Sequence, residues 1–157
     1  MSRNLREVYL QDIRFLIGLK KSVGMLNNRI HDNLALVAID HFEQKYPDWL
    51  FHYTNAGASG IDVVGNNKEG AVTLVAEVKT TLTDHKGYLR GPQQKSLKKD
   101  LERLSAYTGN VERYLVLLSK ATKDAVEKQF RASDIFPTVS LFNALNESVT
   151  EENEEEA

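Results

Sequence analysis

Between Gly60 and Thr81 the chain reads GIDVVGNNKEGAVTLVAEVKTT, and this stretch restricts the fold more than any other. Two runs rich in Val, Leu and Ala flank the turn-forming cluster NNKEG, so the segment is expected to fold back on itself as a β-hairpin. In a strand from Ala71 to Thr81 the side chains alternate between faces. Val72, Leu74, Ala76 and Val78 share one face, expected to be the core face. Thr73, Val75, Glu77, Lys79 and Thr81 share the other. A turn centred near Lys68 sets Asp62 opposite the Leu74 to Ala76 region, about one pleat from Glu77.

Two carboxylates converging at a sheet edge repel each other unless a positive charge lies between them. Mg²⁺ meets that need, being a hard ion that takes oxygen ligands and binds through one or two carboxylates plus water and phosphate. The backbone carbonyl of Val78 is a further candidate ligand. Lys79, next along the same face, is placed to orient or deprotonate a water or to stabilise a developing anion. The competing interpretation is a solvated surface strand with an ordinary Glu–Lys pair.

The flanking elements follow from periodicity. Apolar positions at Leu5, Val8, Tyr9, Ile13, Leu16 and Ile17 predict a helix over 3–20, with KSVGM as a break at Gly24. Leu26, Ile30, Leu34, Val37, Ala38 and Phe42 predict a second helix over 26–46, stopped by Pro47. WLFHYTNA reads as a short strand, Ile61 to Gly65 as the next, and Ala71 to Thr81 as the third. Residues 93–107 predict a helix with Leu97, Leu101, Leu104 and Tyr107 on its apolar face. ERYLVLLS reads as a buried strand, and TKDAVEKQFRAS as a short helix with Thr122 as N-cap. PTVSLF is a candidate last strand. The sum is an α/β sandwich: a three-strand meander plus a crossover strand in a mixed sheet flanked by helices.

The order of elements and the pattern Asp62, then fourteen residues, then Glu77-Val78-Lys79 resemble the bipartite motif of the PD-(D/E)XK phosphodiesterase superfamily. The resemblance covers residues 26–119, about two-thirds of the chain, and the motif's Pro is replaced by Ile61. The acidic-x-Lys part alone is common, since Glu43-Gln44-Lys45 and Asp84-His85-Lys86 also match it. Only Glu77 and Lys79 sit on an apolar strand that follows a Gly-x-Asp strand. The resemblance implies a restriction-endonuclease-like fold and a Mg²⁺- or Mn²⁺-dependent endonuclease acting on DNA, RNA remaining open, in a restriction, repair or mobile-element system. It makes Asp62, Glu77 and Lys79 the catalytic set, with Asp62, Glu77 and the Val78 carbonyl holding the metal. Asp32 in the preceding helix and Gln94 in the following one are accessory candidates. The alternative function is a catalytically silent module that grips nucleic acid or a partner.

Lys86, Tyr88, Arg90, Lys95, Lys98, Lys99 and Arg103 follow the motif and form a candidate phosphate-binding stripe, Tyr88 being available for stacking. Asp100 and Glu102 interleave with them, which a merely solvated helix face would also do. Of the four histidines, His31 and His41 are expected at a helix surface or its boundary, and no zinc-ligand spacing occurs.

Composition bounds what remains. The chain has 157 residues, 41% of them hydrophobic, which fits one domain with a real core. It has no cysteine, which excludes disulfides and thiol chemistry and suits a reducing interior. Its charge is uneven. The last twelve residues, NESVTEENEEEA, hold six of the 22 acids and none of the 20 bases, so residues 1–145 carry +4 while the whole chain carries −2. The expectation is one nuclease-like domain over 1–145, with its core at about 26–142, and a disordered acidic tail over 146–157. Charges interleave with the apolar N-terminal positions, so neither a signal peptide nor a membrane span is expected, and the chain reads as cytoplasmic. The apolar helix over 3–20 is a candidate contact for a homodimer or a larger nuclease complex.

Overall fold

The computed structural model describes residues 3–131 and 138–145, with side chains from Ile17 onward except Lys20. The order is α1 (Arg3–Lys45), β1 (Leu50–Tyr53), β2 (Val63–Asn66), β3 (Val72–Lys79), α2 (Gly91–Ser105), β4 (Glu112–Ser119), α3 (Lys120–Phe130) and β5 (Ser140–Leu145). The five strands form one sheet in sequence order. β1–β2 and β2–β3 are antiparallel, whereas β3–β4 and β4–β5 are parallel. The meander and the helical crossover are therefore present, a fifth strand begins at Ser140 within the expected PTVSLF and runs to Leu145, and the molecule is α/β with an open mixed sheet.

Each face of the sheet has its own core. Leu34, Ala35, Ala38 and Phe42 of α1 pack on Val63, Leu74, Ala76, Val78 and Val116. On the other face, Leu97, Leu101 and Leu104 of α2 and Ala125 and Val126 of α3 pack on Val75, Leu115 and Leu117. Strand alternation thus holds along β3, but the face expected to be open is also buried. The physical reason is topological: both parallel connections, β3–α2–β4 and β4–α3–β5, cross on that side, and each brings a helix over it.

Two helix expectations are corrected. The break at Gly24 does not occur, and α1 runs unbroken for 43 residues. One interior Gly costs a helix about 1 kcal/mol, too little to end a helix this long. Pro47 does lie just past its end. The N-cap of α3 is Ser119, whose hydroxyl accepts from the Thr122 N–H, and Thr122 instead donates its hydroxyl to the Thr81 carbonyl. The acidic tail, 146–157, lies outside the described residues. None of the described helices is long and apolar enough to cross a membrane.

The hairpin register runs Val63↔Ala76, Val64↔Val75 and Gly65↔Leu74, then shifts so that Asn66 faces Val72. One step beyond Val63–Ala76, Asp62 therefore faces Glu77, one to three residues further along β3 than a turn centred on Lys68 alone places it. The shift between Gly65 and Asn66 accounts for part of the difference.

Candidate active site

Asp62, Glu77 and Lys79 come together where β2 begins and β3 ends, at the carboxyl end of the parallel strands. Open α/β sheets place ligand crevices at this end, because the crossover connections start there. One oxygen of Asp62 accepts the Val78 backbone N–H at 2.8 Å, which ties its carboxylate across the hairpin to the residue after Glu77. Its other oxygen is 3.3 Å from Nε2 of His31.

His31 lies between two carboxylates, with Nδ1 3.4 Å from Asp32. Both ring nitrogens face acceptors, which suits the doubly protonated imidazolium. The hydrogen bond to Asp62 is the main influence raising its pKa above the ordinary histidine value, with burial opposing. His31 lies at the boundary of the helix surface, one of the two expected places, and from there reaches the carboxylate pair. Asp32 does something different. It accepts the Ala56 backbone N–H at 2.9 Å, pinning the β1–β2 connection to α1, and steadies His31.

Glu77 is 2% exposed and is the most deeply buried acid of the cluster. Burial first, then its hydrogen bond to Asp62 and the charge of Asp62, push its pKa up to about 8. Burial also pushes the Asp62 carboxyl up, but His31, the Val78 N–H and Glu77 together bring it below the usual range. The two carboxyls are thus pushed apart, Glu77 toward its neutral form and Asp62 toward its charged one, while Arg103 draws Glu77 back toward ionisation.

Two cations from either side of this pair meet acids. Arg103 places Nη1 2.8 Å from Oε1 of Glu77 and 3.3 Å from the Gly60 carbonyl. The Lys79 ammonium lies 2.7 Å from the buried Asp100 carboxylate, an ion pair without hydrogen-bond alignment, and 3.4 Å from the Ser96 hydroxyl. Arg103, expected in the phosphate-binding stripe, contacts Glu77 through one guanidinium nitrogen while its side chain stays 42% exposed. Asp100, which read as a charge of a solvated face, holds the lysine.

The remaining candidates lie on the β3–α2 connection and on α2. Lys86, Tyr88, Arg90, Lys95, Lys98 and Lys99 are exposed. Lys98 is 3.8 Å from Glu102, and the Lys128 ammonium sits 5.4 Å over the Tyr88 ring. Gln94 donates to the Leu89 carbonyl and lines a cavity of about 200 Å³ with Gly87, Tyr88 and Lys128. Gln93 accepts the Arg90 N–H and donates to the Leu82 carbonyl, which fixes the start of α2.

Sequence signals for the two missed residues existed. His31 falls at i, i+4, i+7, i+11 with Ala35, Ala38 and Phe42, the buried stripe of α1. Asp100 lies three residues after Leu97 and four before Leu104, on the buried stripe of α2. No protein-family model, curated protein or solved structure matches the chain.

Proposed function

We propose that the chain is a metal-dependent deoxyribonuclease of the restriction-endonuclease-like kind. The observation that carries this reading is the Asp62–Glu77 pair facing each other across the hairpin, with Lys79 one step along the same face. A buried carboxyl facing a second carboxylate, its pKa raised by burial and by that neighbour, marks a place where added positive charge is stabilising.

The donor set fits Mg²⁺ or Mn²⁺. Among the described residues no group of three or more His, Asp or Glu side chains is assembled to hold a metal. An ion here would rely on Asp62, Glu77, the Val78 carbonyl and water, and Mg²⁺ keeps several waters by preference. When bound, such an ion activates water and neutralises charge on a phosphate. The chain's own residues supply the rest. Glu77 must lose its proton and Arg103 must give up its contact with Glu77. His31 holds Asp62 in place from the opposite side. Asp100 and Ser96 orient the Lys79 ammonium, which faces the developing negative charge. Lys86, Arg90, Lys95, Lys98 and Lys99 offer an exposed basic surface for the phosphate backbone.

The ion pairs Arg103–Glu77 and Lys79–Asp100 favour a second reading, a silent binding module in which the polar cluster is already satisfied. Incubating the protein with supercoiled plasmid, linear duplex and single-stranded DNA, in Mg²⁺, Mn²⁺ or EDTA, separates the two. The nuclease gives metal-dependent cutting that Glu77→Ala and Lys79→Ala both lose. DNA binding without cutting, together with no calorimetric heat of Mg²⁺ binding, would establish the silent module instead.

A further inference from the structure

The first part of α1 lacks support from its own chain. Every described side chain from Ile17 to Ile30 is exposed, and Gly18 and Gly24 have no neighbouring atom within 4 Å of where a Cβ would sit. Helices in water gain most of their stability from packing an apolar face, and interior glycines reduce what little is intrinsic. A 43-residue helix whose docked portion begins near His31 therefore calls for a second surface.

Five of the exposed apolar residues have the spacing of such a surface, whereas Ile17, Met25 and Leu36, also exposed, lie off it. Leu19, Val23, Leu26, Ile30 and Val37 are between 39% and 60% exposed, and with Asn33 they alternate in steps of four and three. Val23, Ile30 and Val37 fall at heptad position a, and Leu19, Leu26 and Asn33 at d. In a parallel coiled coil, β-branched residues at a with Leu at d favour two strands over three or four. The seam lies roughly a third of a turn from the Ala35–Ala38–Phe42 face that packs on the sheet, so one helix can serve both. It also runs into an apolar groove where Val37 meets Leu118, Ala144 and Leu145.

We propose that α1 pairs with α1 of a second copy of this chain, parallel and in register, through a seam from Leu19 to Val37 about 27 Å long. The flanking positions agree with self-pairing. Across a parallel dimer they set Ser22 against Asn27 and Arg29 beside the buried Leu34, so no like charges meet there. Residues 13–30 contain no acid and four bases, Arg14, Lys20, Lys21 and Arg29, none of which falls at a seam position. Asn33 meets Asn33 in register, whereas a slip of one heptad sets it against Leu26. The two catalytic domains then hang on the outside of a shared stem, since His31 and the sheet-packing residues project away from the seam.

The chain has no cysteine, which allows a direct test on the full-length protein. Sedimentation equilibrium should give twice the chain mass at micromolar concentration. Val23→Lys with Leu26→Lys should return it to the monomer mass with an unchanged near-ultraviolet circular dichroism spectrum. Under mild oxidation Leu26→Cys should cross-link to a dimer, and Lys21→Cys, on the outer face of the stem, should not. A monomeric wild-type chain overturns the proposal, as does a dimer that survives the paired lysines. A dimer in which Leu26→Cys fails to cross-link overturns the parallel arrangement.

Discussion

Glu77 is pulled in two directions. Burial and the charge of Asp62 favour its neutral form, while Arg103 favours its charged one, and the balance leaves the carboxyl titrating near pH 8. Its folded pKa lies above its unfolded value of about 4.5, so the stability linked to it is fully present below that value. It is lost as pH rises through 8. His31, also raised, contributes in the same sense above the ordinary histidine range. Asp62, lowered, acts the other way, losing its contribution only as the solution becomes strongly acidic. In metal-free buffer the unfolding free energy from urea titration should therefore fall between pH 6 and 9, by on the order of 3 kcal/mol, and Glu77→Gln should flatten that fall. Retention of the full slope in Glu77→Gln would assign it to other groups. Glu77 and its motif partners were legible because the hairpin keeps them within one short segment of chain. The partners that tune them, His31 and Asp100, arrive on helices from far along the sequence. Only their membership of buried helical stripes announces them, and the same membership is usual for residues that merely border a core.

At the scale of elements, β2 and β3 are held by close packing as well as by their ladder. A Cβ at Gly65 would lie 2.5 Å from the Phe51 ring and 3.2 Å from Leu74 Cβ. The ring belongs to an aromatic group with Phe42 and Trp49, so it has little room to retreat. Gly65→Ala should destabilise the fold by about 1–3 kcal/mol, read as a lowered denaturant midpoint with an unchanged slope. On α2 the same helix buries Asp100, reaches Glu77 with the half-exposed Arg103 and presents Lys95, Lys98 and Lys99 outward. If the outer row carries phosphate, Lys95→Ala with Lys99→Ala should weaken duplex binding uniformly across sequences. The pair should also make the salt dependence shallower by about two counterions. Weakening confined to particular sequences would point to base contacts instead. Strand order and the two crossovers were readable from the alternation of apolar runs and helical spacing. The unbroken length of α1 was not, because a glycine is a weak break and the sequence does not say what supports a helix around it.

Across the whole molecule, β3 and β4 lie inside the sheet with a core on each face, while β1 and β5 form its edges. Amide exchange should therefore be slowest in β3 and β4 and faster at Leu50–Tyr53. The stretch 17–30 of α1 should exchange rapidly in dilute solution and slowly at concentrations where two copies pair. Equal protection at both concentrations would mean that its helicity owes nothing to a second chain.

The register shift at Gly65 and Asn66 has a practical use. It separates the hairpin into a rigid part, which aligns Asp62 with Glu77, and a tip from Asn67 to Gly70 that closes through Asn67. An error in length introduced at the tip is taken up at the irregular step before it reaches the carboxylates. A fluorophore or a short epitope inserted after Lys68 should therefore report on the protein while leaving its melting curve unchanged.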